Sequence, residues 1–132
     1  MPIKLTMQVE PHHVVVMCSG EFEPDAFIDA CRQALSFASE NKITAILIDG
    51  RRLTGELFTT MERFKVGEAF AYLQRGLPFV TRVAVVGNEP LVDPNRFGET
   101  VAVNRGALGK VFTDIEEATM WLERWHQEEM KD

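Results

Sequence analysis

The stretch Ile43-Thr44-Ala45-Ile46-Leu47-Ile48-Asp49 (residues 43–49) decides the fold class. It is apolar almost throughout, rich in β-branched residues, and too short for an ordinary helix. A strand covered on both faces reads this way, whereas a strand with one wet face alternates. Residues 82–87 (RVAVVG) have the same texture. Two such segments require helices above and below one sheet, which makes the chain α/β.

Working outward, residues 3–9 alternate strictly, with Ile3, Leu5, Met7 and Val9 set against Lys4, Thr6 and Gln8. That is a half-buried strand. Pro11-His12-His13 interrupts it, and the apolar run 14–18 follows, so a leading antiparallel hairpin is expected, ended by Ser19-Gly20. Pro24 suits the first turn of a helix, where its missing N–H is not needed. Phe27, Ala30, Cys31, Ala34, Leu35 and Ala38 give that helix a buried stripe, and Asn41 closes it.

A polar loop over residues 50–58 leads to a second helix over about 60–75, its broad apolar face drawn from Met61, Phe64, Val66, Ala69, Phe70 and Leu73. Gly76-Leu77-Pro78 stops it. Asp93-Pro94 is a cap and first-turn pair, so a third helix is expected to begin there. It has few anchors (Phe97, Val101, Ala102), and Gly98 and Gly106 weaken it. A short strand at 110–112 precedes a last helix carrying Ile115, Ala118, Trp121, Leu122 and Trp125 on one face, then a polar tail from His126. The expectation is one domain over residues 1–132, a mixed sheet of about five strands with about four helices. Ligands or partners of such sheets engage the strands' carboxyl ends. The loops to watch are therefore 19–23, 50–60 and 88–93.

Composition narrows the function classes. The 132 residues are 45% apolar and 26% charged, with a net charge of −6. That sign repels phosphate backbones and anionic lipid. The one tight basic pair, Arg51–Arg52, is too small for a duplex footprint, so nucleic acid is not an expected partner. Cys18 and Cys31 lie in apolar stretches, where reduced cysteine behaves as a small hydrophobe. No apolar leader opens the sequence and no apolar run approaches a bilayer span, so a cytoplasmic location is expected.

The element order, together with SGEF (19–22), ILIDGRRLTG (46–55), RVAVVG (82–87) and the closing EEATMWLERW (116–125), resembles the STAS or SpoIIAA-like family of anti-sigma-factor antagonists across almost the whole chain. The resemblance implies a non-catalytic regulatory module that binds a protein partner or itself as a homodimer. In that family's signalling members a Ser or Thr at the start of the helix after the central strand is phosphorylated by a partner kinase. The matching region here, Leu57-Phe58-Thr59-Thr60-Met61, lacks their Asp-Ser-Ser/Thr-Gly pattern, leaving Thr59 or Thr60 to serve. The resemblance also implies that other members bind small or lipidic ligands, so a carrier is the alternative.

Five polar residues are candidate binding positions. Asp49, Arg51 and Arg52 stand where the central strand is expected to end; an arginine there can grip a phosphate or carboxylate, or be held by Asp49 in an ion pair. Thr59 with Glu62 spells a capping box, and Thr59 or Thr60 is the candidate phosphoacceptor. Phe97 and Val101, with Trp121 or Trp125, are candidates for an apolar cleft or dimer seam, the weak third helix serving as its lid. Adjacent His12 and His13 lack chelating spacing and read as exposed turn residues, so no metal is expected. No nucleophile elbow, phosphate loop, dinucleotide fingerprint or zinc-protease motif occurs, so neither cofactor nor catalysis is expected.

Overall fold

The computed structural model describes residues 3–55, 59–88, 92 and 97–130, with backbone alone at 97, 98 and 125–130. The elements are β1 (Lys4–Val9), β2 (Val14–Glu21), α1 (Pro24–Glu40), β3 (Ala45–Thr54), α2 (Thr60–Arg75), β4 (Arg82–Val86), α3 (Phe97–Asn104), β5 (Gly109–Phe112) and α4 (Ile115–Met130). The described residues form a five-stranded sheet in the order β1-β2-β3-β4-β5. Of these strand pairs only β1–β2 is antiparallel. The architecture is therefore the expected mixed α/β sheet with a leading hairpin.

Burial of β3 on both faces explains its composition. Because side chains alternate across a strand, Ile46 and Ile48 enter one core with Val14, Val16 and Leu35, beside α1 and α2. Ala45 and Leu47 enter the other with Ala84, Val86 and Leu122, beneath α4. Ile46, Leu47 and Ile48 are at most 2% exposed. On α1, Pro24 sits in the first turn, and the buried Ala30, Cys31, Ala34 and Ala38 let the helix lie close to the sheet. Lys42 ends this helix with φ 57°, a left-handed turn more often given to glycine. It brings the Ile43 N–H to the Ala38 carbonyl at 2.8 Å, where the chain turns toward β3.

Two side chains fix the outer elements. The Gln74 amide of α2 donates to the Leu108 carbonyl (3.1 Å) and accepts from the Leu108 N–H (2.8 Å), pairing with backbone as a strand would. It also donates to the Thr81 carbonyl at 3.0 Å. These bonds set the rotation of α2 about its axis. From α3, the Glu99 carboxylate accepts the Val111 N–H at 3.3 Å, capping the edge strand β5.

Several expectations are corrected. Strand β2 does not stop at Ser19-Gly20, nor β3 at Asp49. Both run on, with Ser19, Gly20 and Glu21 opposite Arg52, Leu53 and Thr54. Between Met17↔Asp49 and Ser19↔Arg52 the longer spacing on β3 makes a bulge. Leu53 thereby still packs on the α1–α2 core. Phe22 N–H donates to the Thr54 carbonyl at 2.6 Å. Gly55 follows with φ +140°, and a Cβ there would lie 3.3 Å from the Phe22 backbone.

The hairpin tip also differs, because it folds against α4. His13 is 8% exposed and not a wet turn residue. Burial lowers its pKa, against the pull of Glu10 and Glu123. His12 lies 3.2 Å from Glu123. At the other end of the chain, α4 continues to Met130, so the expected tail from His126 is helical. Gly106 lies beyond α3, at φ +91°, and turns the chain out of it instead of weakening its interior. The expected start of that helix at Asp93-Pro94 lies outside the described residues.

Truncating a residue that both layers enclose should therefore be far more damaging than truncating the rim. Ile46→Ala is expected to lose about 2–5 kcal/mol. Val9→Ala, at a position 61% exposed, should change stability by less than about 0.5 kcal/mol. Urea unfolding of the two variants measures the contrast.

Candidate functional site

The bulge brings the buried Asp49 next to the exposed Arg51 and Arg52. Asp49 shares the face of Ala45 and Leu47, but only 9% of it is exposed. Its carboxylate accepts Arg51 Nε and Nη2, both at 2.9 Å, and the Arg51 backbone N–H at 3.1 Å. Burial by itself would push this carboxyl up. The Arg51 side-chain and backbone hydrogen bonds, with the charges of Arg51 and Arg52, outweigh it and hold the carboxyl below its usual value. Arg51 is thus spent on Asp49 through its fork, in keeping with one of the two readings of the sequence. Arg51 and Arg52 stand in the strand, not in a loop, and both are exposed. The segment 56–58 that continues toward α2 lies outside the described residues.

Thr59 and Thr60 open α2. The Thr59 hydroxyl accepts the Glu62 N–H at 3.1 Å, and the Glu62 carboxylate accepts the Thr59 N–H at 2.8 Å, completing the capping box. Both threonines are exposed.

Helix α2 turns Val66, Phe70 and Leu73 to the core as expected, but its outer side differs from the expected pattern. Met61, expected on its apolar face, is 74% exposed, and Tyr72 is 71% exposed. The buried positions are the small ones, Gly67 and Ala71. Ala71 packs on Ala102 and Ala107, so α3 sits close. With Gln74 turned toward the sheet, Met61, Lys65, Glu68, Tyr72 and Arg75 form an outward stripe at alternating four- and three-residue steps. Lys65 Nζ donates to Asp25 of α1 at 2.6 Å. Arg105 lies 3.4 Å from Glu68 and over the Phe64 ring, 4.8 Å from its centroid. The repeat is readable in sequence once Tyr72 is counted with Met61; the apolar residues nearer the sheet hid it.

The expected apolar cleft is not assembled from Val101 and Trp121. Val101 is buried on α3, which packs on α2 and β5. Trp121 packs on Phe112, with ring centroids 5.9 Å apart, in the core beneath α4. Whatever the side chains of Phe97 and Trp125 add lies outside the described residues. Among the described residues, no group of histidine, cysteine and carboxylate side chains is placed to hold a metal ion. No described helix is long and apolar enough to cross a membrane. Burial pushes the Cys18 thiol up to about 12 and the fully enclosed Cys31 thiol up as well, so neither is a thiolate at neutral pH.

The Asp49–Arg51 fork has a definite acid signature. A carboxyl held below its unfolded value stabilises the fold fully above that value, near pH 3.9, and loses the contribution as pH falls through the folded value. Asp49→Asn should therefore lower stability by roughly 1–2 kcal/mol at neutral pH, the arginine being partly exposed. The gap between variant and parent should close below about pH 4. Urea midpoints measured across pH 7 to 3 test this, and a gap that persists unchanged in acid contradicts it.

No protein-family model matches the chain, and neither does any curated protein. Solved structures do. Over 92% of this chain and 94% of the other, it is similar to an anti-sigma factor antagonist from Mycobacterium paratuberculosis, with a TM-score of 0.61 at 17% identity. It is also similar to an uncharacterized protein of the DUF3478 family with a SpoIIAA-like fold from Shewanella loihica PV-4, with a TM-score of 0.50 at 19% identity over 92% and 93% of the two chains. At such identities the shared property is the arrangement of the backbone: the chain has the SpoIIAA-like, or STAS, fold.

Proposed function

We propose that this chain is a single-domain, non-catalytic regulatory module that acts by binding protein through the outward stripe of α2 and the segment leading into it. The observation that carries the reading is the outer side of α2, turned away from the Val66, Phe70 and Leu73 side chains that pack on the core. Met61 and Tyr72 are largely exposed while Gly67 and Ala71 take the buried positions. Large apolar and aromatic side chains left outside at helical spacing are the anchors from which helix-face interfaces are made. Lys65, Glu68 and Arg75 between and beside them provide a charged frame. An anti-sigma factor antagonist with the same fold supports a regulatory role. The buried cysteines, held as thiols, support one without covalent chemistry.

A photo-crosslinking residue placed at position 72 tests this, with one at the exposed Gln33 of α1 as control. In the native cells, position 72 is expected to give a discrete protein adduct that Met61→Glu diminishes, and position 33 to give none. Adducts from neither position, or equally from both, defeat the reading.

A further inference from the structure

The outward stripe of α2 is complementary to itself when turned end for end. Along it come Met61, Lys65, Glu68 and Tyr72, an apolar residue, a cation, an anion and an aromatic. Set this helix antiparallel to itself about a two-fold axis passing between Val66 and Gly67. Met61 then faces the second copy's Tyr72, and Lys65 faces the second copy's Glu68. Each opposition occurs twice, as a contact between identical patches requires.

Charge selects this register. A parallel pair opposes lysine to lysine and glutamate to glutamate. An antiparallel pair centred on Glu68 brings the two carboxylates together, and a slide of one further turn sets Lys65 against Arg75. Like charges placed face to face across an interface oppose association.

We propose that the occupant of the α2 face is the α2 helix of a second copy of this chain, antiparallel, with Met61–Tyr72 contacts flanking two Lys65–Glu68 ion pairs. This deepens the reading of α2 as a binding face and rests on it. The pairs already made within one copy assist. An ammonium has three donors and a carboxylate about four acceptor sites. Lys65 can therefore keep Asp25, and Glu68 can keep Arg105. Across the axis the charges then run Asp25, Lys65, the second copy's Glu68 and the second copy's Arg105, alternating in sign. The stripe from Met61 to Tyr72 is only about 16 Å long. A contact of that length falls below the roughly 1,200 Å² of stable complexes, so the dimer is weak, forming at roughly 10 µM to 1 mM.

Sedimentation velocity of the full chain from about 10 µM to about 1 mM tests the proposal. The parent should shift from monomer to dimer over that range. Lys65→Glu and Glu68→Lys should each weaken association at least about tenfold. An equimolar mixture of the two single variants should associate with each other, because one chain then presents carboxylates at both positions and the other ammonium groups at both. Carrying both changes in one chain should regain much of what either single change loses. Circular dichroism and melting should show all variants folded, since exposed ion pairs contribute little to stability. Tyr72→Ser, which leaves the charges alone, should also weaken the dimer. Association that ignores the charge reversals, or single variants that fail to complement each other, overturns the antiparallel pairing. A chain that stays monomeric at every concentration while position 72 still crosslinks to a different protein overturns self-pairing alone. If both experiments are negative, the binding role of α2 falls with it.

Discussion

Strand β3 is enclosed from two directions, and most of the molecule follows from that constraint. Its alternate residues must find apolar partners on opposite sides, so a helix layer is needed on each. Leu35 of α1 meets Ile46 and Ile48 on one side, and Leu122 of α4 lies with Ala45 and Leu47 on the other. The neighbours β2 and β4 must be parallel to β3, because the chain returns each time through a helix. Among the described strands, the one antiparallel pair is the pair joined by a short turn.

Where that enclosure ends, the strand changes character without stopping. Past Ile48 the next residue, on the face of Ala45 and Leu47, is Asp49, beside the buried Val86 of β4. A carboxylate so close to the core is tolerated because three donors from Arg51 meet it. Without them its burial would favour the neutral acid. The bulge that follows keeps Leu53 in the core while leaving Arg51 and Arg52 exposed. The polar site thus arises where a buried carboxylate and the bulge beside it meet the exposed end of the strand.

This also explains what the sequence could convey. The continuous apolar runs, the Pro24 first turn and the Thr59–Glu62 box are local signals, and each element they announce is present. The extension of β3 over Gly50 to Thr54 was illegible because polar, glycine-containing residues read as a loop. Only pairing with Ser19 to Glu21, supplied from a distant part of the chain, makes them strand. His13 misled for a similar reason: a turn histidine looks wet until the folded chain buries it and brings Glu123 of α4 near. Trp121 and Val101 share helical spacing with good core residues, but nothing local says that α3 and α4 serve different parts of the fold.

Helix α2 shows why a candidate surface is harder to read than a core. Its apolar residues span so much of the circumference that periodicity alone cannot choose the buried side. Gln74 makes that choice, because its amide can satisfy the backbone of Leu108 and Thr81 in only one rotation of the helix. With that side fixed, Ala71 faces α3 and Tyr72 is left outside. A different rotation would take this donor from the carbonyl of the buried Thr81, and an unmet buried polar group costs about 1–3 kcal/mol. The exposure of Met61 and Tyr72 thus accompanies the hydrogen bonding of Gln74 on another side of the same helix. A face held out by such a constraint is available for binding without any rearrangement of the core.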